Sequence, residues 1–265
     1  MGSPLGFGIT AASRPGHSRL GAELERLGYA ELWVNDTSRG DGLATLGEVA
    51  AGAARLRFGI GVVALSEQAP ATIAARASVP GVPGDRLTLG VGSGSAASLD
   101  LVRQGVAELR GLLPGMPIAV AAVGPRMAGL AGELADAVVA NWALPDRLTF
   151  VRDHVREGAE RTGRPPPRLV AYVRTAIGPG AANRLEAEMA RYRRFGPHYA
   201  RAFDAQPDEP IGVAVESGDP AELASALAAY RATADTVVLR GLPAGDAVDA
   251  WLEIATAGAP LNHAS

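Results

Sequence analysis

Short apolar runs alternate with longer amphipathic stretches along the chain. Several runs, such as those within 57–63 and 118–122, are apolar at nearly every position, as expected for strands covered on both faces. The longer stretches repeat their apolar residues at helical spacing. The pattern predicts eight strands, at 6–10, 31–35, 57–63, 87–91, 118–122, 137–140, 169–175 and 236–239. It predicts helices at 18–27, 43–54, 70–77, 99–112, 126–135, 145–162, 182–194, 220–232 and 247–256.

Eight strands that alternate with helices favour a (β/α)8 TIM barrel. Such a barrel typically takes about 250 residues, and this chain has 265. Two small domains or an open doubly wound sheet are the alternatives. We expect a single barrel domain over residues 1–265. The segment at about 195–215 shows neither periodicity, so it is predicted to be an irregular insertion that forms a lid or a dimer contact.

Composition narrows the possible chemistry. Hydrophobic residues make up 48% of the chain, enough to bury a large core. All 25 basic residues are arginines, which excludes a Schiff-base lysine and a P-loop lysine. The chain has no cysteine, which excludes disulfides, thiolate nucleophiles and cysteine-ligated metals. The four histidines are far apart in the sequence, so no metal is expected.

Charge and hydropathy bear on partners and location. The formal net charge of −3 gives no chain-wide basic footprint for nucleic acid, so no nucleic-acid partner is expected. No stretch approaches 18 uninterrupted apolar residues, and the first residues lack a positive segment before an apolar one. We therefore expect a cytoplasmic protein without a membrane partner.

Chemistry in a barrel of this kind lies at the carboxyl ends of the strands. After the strand at 87–91 come Gly92, Ser93 and Gly94, where glycine allows close approach of a ligand and serine hydroxyls can bind its oxygens. The alternative is a tight turn in which Ser98 caps the next helix. Both interpretations fit this stretch.

The strand at 118–122 is followed by a possible anion pocket. Gly124 permits close approach, Pro125 suits the first position of a helix, and Arg126 places a cation beside the helix N-terminus. The alternative is a well-capped helix with an arginine on the surface.

Two further strand ends carry candidate chemistry. Asn35 and Asp36 end the strand at 31–35, where a lone carboxylate can bind a substrate or a heterocycle, or can instead form an Asx turn or a helix cap. Gly61, Val62 and Val63 form the end of the strand at 57–63, and a glycine inside a strand often marks a bulge or a close ligand contact.

The order of these motifs resembles the luciferase-like monooxygenase superfamily, and within it the coenzyme F420-dependent oxidoreductases of the methylene-tetrahydromethanopterin-reductase-like branch. The resemblance covers about 5–142 and 211–240. Its most specific part is the sequence GPRMAGLAGELADAVVANW; the others are LGYAELWVND, RLRFGIGVVALSEQAP and DRLTLGVGSGS.

The resemblance implies a barrel that holds a deazaflavin or flavin at the carboxyl ends of its strands. It implies a non-prolyl cis peptide behind the ring, at Gly61-Val62 or Val62-Val63, and an acidic group, Asp36, at the ring edge or on the substrate side. It also implies that Gly92, Ser93 and Gly94 line the ring and ribityl chain, and that the phosphate-bearing tail is held by Ala122, Val123, Gly124, Pro125 and Arg126.

The chain departs from relatives that oxidise sugars and alcohols. It has Thr37 where they have a histidine and Ser95 where they have a glutamate, and its loop at 95–99 is shorter than usual, so this is a barrel with trimmed loops. Because those residues act as base and acid, the departures count against oxidation of a sugar phosphate or alcohol.

We expect an oxidoreductase that moves a hydride between reduced coenzyme F420 and a small organic acceptor with a C=C or C=N group. Asp36 and Ser95 are the candidates for substrate polarisation or proton delivery. The alternatives are an FMN-dependent monooxygenase and a barrel that binds a cofactor or partner without catalysis. The small residues of the helices after the second and third strands, together with the resemblance, predict a homodimer.

Overall fold

The computed structural model describes residues 3–12, 14–37, 40–78, 81–82 and 84–260. The strands in these ranges are β1 Leu5–Thr10, β2 Glu31–Asn35, β3 Arg57–Ile60, β4 Val63–Ala64, β5 Leu87–Gly92, β6 Ile118–Ala122, β7 Ala137–Asn141, β8 Arg168–Ile177, β9 Val213–Val215 and β10 Thr236–Gly241. The α-helices are α1 His17–Arg26, α2 Gly42–Ala50, α3 Pro70–Ala77, α4 Leu99–Leu112, α5 Pro125–Leu134, α6 Pro145–Arg161, α7 Ala181–Arg193, α8 Pro197–Asp204, α9 Pro220–Thr233 and α10 Val248–Ala257. None of these described helices has the length and apolarity needed to cross a membrane.

Eight parallel strands close into a barrel. Their order is β10-β1-β2-β3-β5-β6-β7-β8, and β8 pairs with β10 to complete the ring. The predicted (β/α)8 barrel is therefore confirmed, and the open doubly wound sheet is wrong. The two short strands lie outside the ring order: β4 pairs with β5, and β9 extends the edge of β8.

Alternation along each strand divides the core into two layers. Outward side chains such as Phe7 and Leu32 pack with the surrounding helices in the larger cluster. Inward side chains form a separate cluster that includes Trp33, Tyr172 and Val238. The rings of Trp33 and Tyr172 meet at 5.9 Å although β2 and β8 are not neighbours, so this contact crosses the barrel interior. Because successive side chains of a strand point to opposite faces, this register identifies which residues face the interior.

The prediction of an irregular insertion at about 195–215 is wrong, because this segment contains a helix and a strand. It contains α8, which begins at Pro197 in a favourable first-turn position and buries Phe203 against Trp142, with ring centroids 5.2 Å apart. It also contains β9, whose residues pair in parallel with the end of β8. An eight-residue helix and a three-residue strand are too short to give a clear periodic signal, which explains the wrong prediction.

Candidate active site

Four polar side chains converge inside the carboxyl end of the barrel. Trp33, Tyr172 and Val238 face the interior, so the residues two positions further along the same strands face it as well. These are Asn35, Arg174 and Arg240. Asn141, at the end of β7, joins them through a hydrogen bond from Arg174. Arg174 is 1% exposed and Arg240 is 3% exposed, so two guanidinium groups are buried at the carboxyl end of the barrel, which is its mouth.

Arg240 is held by neutral oxygen atoms. Its Nε donates to Asn35 Oδ1 at 2.7 Å, its Nη1 donates to the carbonyl of Gly241 at 2.7 Å, and its Nη2 donates to Thr10 Oγ1. A Cβ on Gly8 would lie 2.9 Å from Arg240 Cδ, so glycine at this position leaves room for the side chain. Burial, together with the nearby charge of Arg174, lowers the pKa of Arg240 to about 10. The group therefore remains a cation at neutral pH.

Arg174 lies between aromatic rings and is only partly hydrogen-bonded. Its Nη1 donates to Asn141 Oδ1 at 2.8 Å, and its guanidinium carbon lies 4.5 Å from the ring centre of Trp142 and 5.0 Å from that of Tyr192. Its Nε and Nη2 are buried and have no hydrogen-bond partner among the described residues. Oε1 of Glu188 is 3.8 Å from the Nε, which is an ion-pair distance but not a hydrogen bond.

A wall without bulky side chains faces these arginines. In the ring order, β3 and β5 lie three or four places from β8 and β10, so they form the opposite side of the barrel. A Cβ on Gly90 would meet the carbonyl oxygen of Ile60 at 1.9 Å, and one on Gly92 would lie 3.1 Å from Val62 Cγ2. Glycines at these two positions therefore let the strands approach closely and leave a flat surface beside Val62.

The peptide bond between Gly61 and Val62 is cis, at the first of the two positions that the resemblance implied. A Cβ on Gly61 would lie 1.9 Å from the hydroxyl oxygen of Tyr172. That hydroxyl is buried and makes no hydrogen bond within the described residues. Val63, the next residue, begins β4 and packs in the outer core, so its side chain faces away from the mouth.

The loop after β5 has features of both interpretations of its sequence, the helix cap at Ser98 and the glycines that allow close approach. Ser98 caps α4 by accepting a hydrogen bond from the N–H of Leu101 at 3.2 Å, which confirms the predicted cap. Gly94 has a φ of 62°, and a Cβ there would lie 2.2 Å from Ser66 Oγ. Ser93 is partly exposed directly after the strand, and Ser95 is exposed in the turn that follows. Both serines are therefore at least partly accessible to solvent after β5.

The predicted anion pocket has the expected local structure. Pro125 is the first residue of α5, Gly124 precedes it, and no side chain caps the first turn. No atom of the described residues lies within 4 Å of a Cβ built on Gly124, so these residues leave the space beside the helix N-terminus open. Arg126 is exposed there. Ala122 belongs to the outer core, so it can offer this pocket only its main chain.

A second arginine, which the sequence did not single out, lies beside this pocket. Arg147 on α6 donates from Nη2 to the carbonyl of Val123 at 3.2 Å, and its Nε is buried with no hydrogen-bond partner in the part of the chain that the structure describes. Burial lowers the pKa of Arg147. Arg126 itself lines a groove between α5 and α6 together with His154 and Arg161. Two guanidinium groups thus flank an uncapped helix N-terminus, which suits a phosphate group.

The environment of Asp36 is that of a loop anchor. Because Asn35 faces the interior, Asp36 faces the helices. Its Oδ1 accepts from the N–H of Gly42 at 2.7 Å and from Arg76 at 3.0 Å, and its Oδ2 accepts from Gln68 at 3.2 Å. Hydrogen bonds to Asp36 raise the pKa of Arg76. Both carboxylate oxygens are therefore occupied by protein donors, which corrects the expectation that Asp36 faces a ring or substrate.

The sequence analysis did not single out Arg174, Arg240 or Tyr172. Tyr172 and Arg174 lie inside the predicted strand at 169–175, and Arg240 directly follows the predicted strand at 236–239. A usable signal was present within the strands. The sequence of β8 places Tyr172 and Arg174 two residues apart among apolar neighbours, and a charged residue inside an apolar strand seldom lies against a helix layer. Because side chains alternate along β2, an inward Trp33 also implies that Asn35 points inward and that Asp36 points outward.

Comparisons with known proteins agree with this architecture. A family model described as luciferase-like monooxygenase matches residues 8–107 and 101–250. A 5,10-methylenetetrahydromethanopterin reductase from Methanolobus tindarius is 26% identical over 201 residues. This match covers 62% of the chain and 62% of the reductase, so the chain spans less than two thirds of that relative's length.

Solved structures show the same fold at low identity. An F420-dependent secondary alcohol dehydrogenase, in complex with an F420-acetone adduct, has a TM-score of 0.71 at 15% identity, covering 96% of this chain and 97% of that one. The coenzyme F420-dependent tetrahydromethanopterin reductase from Methanopyrus kandleri has a TM-score of 0.71 at 16% identity, covering all of both chains. The oxygenating constituent of 3,6-diketocamphane monooxygenase from Pseudomonas putida, in complex with FMN, has a TM-score of 0.69 at 15% identity, with 97% of each chain covered. The chain belongs to the luciferase-like monooxygenase family.

Proposed function

We propose that the protein is an oxidoreductase that binds coenzyme F420 at the carboxyl end of the barrel and transfers a hydride between it and a small organic substrate. The observation that carries the proposal is that two walls of different character face each other across the mouth of the barrel. The glycine wall at Gly90 and Gly92 suits a flat ring, and the opposite wall presents the buried cations Arg174 and Arg240. The F420-dependent alcohol dehydrogenase and the F420-dependent tetrahydromethanopterin reductase among the structural neighbours support F420 as the cofactor.

The residues present fit such a cofactor at two places. Gly61, Val62, Gly92 and Ser93 offer a flat, largely main-chain surface to the ring, and Gly94 continues it. The open N-terminus of α5 at 123–126, with Arg126 and Arg147 beside it, offers cations and free N–H groups to the phosphate of the tail. A bound deazaflavin supplies the hydride chemistry itself.

The protein's own part in the reaction is then to orient the acceptor and exclude water. The acceptor lies between the ring surface and the wall that carries Arg174 and Arg240. Ser95, exposed in the turn after β5, contacts the substrate from the open side of the mouth. Asp36 acts by fixing the loop after β2 to α2 and α3 through Gly42 and Arg76, so it positions the mouth without touching the reacting atoms.

FMN is the alternative cofactor, and the FMN complex among the structural neighbours is the observation that favours it. The helix N-terminus and its two arginines suit the phosphate of either molecule. The longer F420 tail needs cations beyond this point. Arg161 lines the groove between α5 and α6, but it is ion-paired with Glu133 at 3.0 Å, and Glu157 lines the same groove, so this feature does not favour F420 over FMN. A small-molecule substrate, a homodimer and a cytoplasmic location complete the proposal.

The test is a spectral titration of the purified protein with F420 and, separately, with FMN. Saturable binding of F420, followed by oxidation of reduced F420 in the presence of an acceptor with a C=N or C=C group, supports the proposal. Binding of FMN alone indicates the monooxygenase. Binding of neither chromophore indicates a barrel without redox catalysis.

A further inference from the structure

We propose that Arg174 and Arg240 form a binding site for the acid group of the substrate, so that the protein acts on a small organic acid. This inference rests on the proposed function for the reaction, but the site itself is defined by side chains that the structure shows. It names a substrate class that neither the family nor the relatives specify.

The two guanidinium groups are neighbours on one wall. Arg174 of β8 and Arg240 of β10 are paired in register, and both face the barrel interior near its carboxyl end. The glycine wall lies on the opposite side of the ring of strands. A molecule that lies against a flat ring on the glycine wall therefore presents its other side to the two arginines.

The charges in this region are not balanced. Glu188 is the carboxylate that accompanies the pair among the described residues, and Arg191 binds both of its oxygens at 2.8 Å. Three guanidinium groups, those of Arg174, Arg191 and Arg240, thus share one carboxylate. Arg240 has only neutral hydrogen-bond acceptors in the described part of the chain. Arg191 is exposed to solvent, but Arg174 and Arg240 are buried. Because buried charges are normally paired, these two cations call for an anion.

Donors for that anion are already in place. Nε and Nη2 of Arg174 are buried and make no hydrogen bond with the described residues. A guanidinium presents its N–H groups as a planar fork that matches the two oxygens of a carboxylate. Asn141 fixes Nη1 of the same group at 2.8 Å, so the fork is held in one orientation. The geometry suits a carboxylate better than a neutral carbonyl.

The ring of Tyr192 covers Arg174, at 5.0 Å from its guanidinium carbon. Tyr192 is only half-buried and lies near the C-terminal end of α7, next to the exposed Phe195. Removing the ring with Tyr192→Ala would therefore uncover one side of the guanidinium without removing its hydrogen bond to Asn141.

The experiment compares acids with their neutral amides. Isothermal titration calorimetry at pH 7.5 and constant ionic strength measures acetate against acetamide, isobutyrate against isobutyramide, and benzoate against benzamide. We expect at least one acid to bind the wild-type protein about tenfold or more tightly than its amide, as charge-assisted hydrogen bonds imply. Arg174→Met should abolish most of this preference, Arg174→Lys should retain part of it, and Tyr192→Ala should preserve it.

Arg26→Met is the matched control, because Arg26 is an exposed arginine at the C-terminal end of α1, which lies at the opposite end of the barrel. It should leave the preference unchanged. Equal affinity for acid and amide in all three pairs overturns the proposal, and this comparison needs no variant to fold. An undiminished preference in folded Arg174→Met also overturns it.

Cofactor titration on the same preparations separates this inference from the proposed function. Protein that binds F420 but shows no acid preference refutes the anion site alone. Protein that binds neither F420 nor FMN but prefers acids refutes the proposed oxidoreductase and supports the anion site.

Discussion

The hydroxyl of Tyr172 occupies the place where a side chain on Gly61 would begin. A Cβ built on Gly61 lies 1.9 Å from the hydroxyl oxygen and 2.6 Å from the ring carbon that carries it. Tyr172 belongs to β8, whereas Gly61 follows β3 on the opposite side of the barrel. The contact therefore crosses the interior directly beneath the mouth, and it couples the packing of the core to the shape of the proposed cofactor surface.

Gly61→Ala should destabilise the protein by about 1–3 kcal/mol, because the added methyl group overpacks a rigid contact. Urea unfolding monitored by circular dichroism measures the loss. In a Tyr172→Leu background, the same Gly61→Ala substitution should lower the free energy of unfolding by less than it does in the wild-type protein. Gly111→Ala is the control, since a Cβ there meets nothing within 4 Å and alanine favours the helix. A Gly61→Ala protein as stable as wild type would contradict the steric interpretation.

The barrel could be predicted from the sequence because its strands and helices are long and strongly patterned. Strands such as β6 and helices such as α3 and α4 have the predicted bounds. The helix α8 and the strand β9 could not be predicted, since each is stabilised by tertiary contacts, α8 by Phe203 against Trp142 and β9 by pairing with β8. Local propensity carries little of their stability.

The candidate site could be predicted only in its main-chain parts. Glycines and the Pro125 helix start are visible in the sequence because their backbone roles are local. The buried side chains Arg174 and Arg240 become a pair only when β8 and β10 close the barrel, although they are 66 residues apart by their numbers in the chain. The role of Asp36 also depends on register, because a shift of one residue moves a side chain to the other face of the strand. Asn35 faces the interior, and Asp36, one residue later, faces the helices.

Asp36→Asn should mainly affect stability. The substitution keeps an acceptor for Gly42 but removes the charge that pairs with Arg76, so we expect a loss of about 1–3 kcal/mol. Turnover should remain within a few-fold of wild type, because the side chain faces away from the mouth. Urea unfolding and steady-state kinetics check the two expectations. A fall of about 10² or more in kcat with unchanged stability would restore Asp36 as a general acid or base.

Arg147→Met should weaken cofactor binding about tenfold or more, since a charge-assisted hydrogen bond to phosphate contributes about 1.5–3 kcal/mol. Arg126→Ala should have an effect of similar size if both arginines hold the phosphate. Spectral titration with F420 and with FMN gives the dissociation constants. Arg156→Met provides the control, because Arg156 is an exposed arginine on the same helix as Arg147. Unchanged affinity in Arg147→Met would remove this residue from the proposed phosphate site.

Glu188→Gln should destabilise the protein in a way that depends on pH. Burial alone would raise the pKa of Glu188, but hydrogen bonds from Arg191 and the charges of Arg174, Arg191 and Arg240 hold it below its usual value. A glutamate with a lowered folded-state pKa contributes stability that is complete above its unfolded pKa of about 4.3 and is lost as the pH falls through the lower folded value. The variant lacks this contribution at every pH.

The difference in unfolding free energy between wild type and Glu188→Gln should therefore be constant from about pH 8 to pH 5 and should shrink below about pH 4. Its size at pH 7 should be on the order of 1–3 kcal/mol, because the variant leaves three neighbouring guanidinium groups without a carboxylate. Denaturant unfolding at pH 7, 5, 4 and 3 measures it. Glu186→Gln, an exposed glutamate on the same helix, should show no such dependence. A difference that grows as the pH falls would mean that folding raises the pKa of Glu188, which would contradict the stabilisation of this carboxylate by the neighbouring arginines.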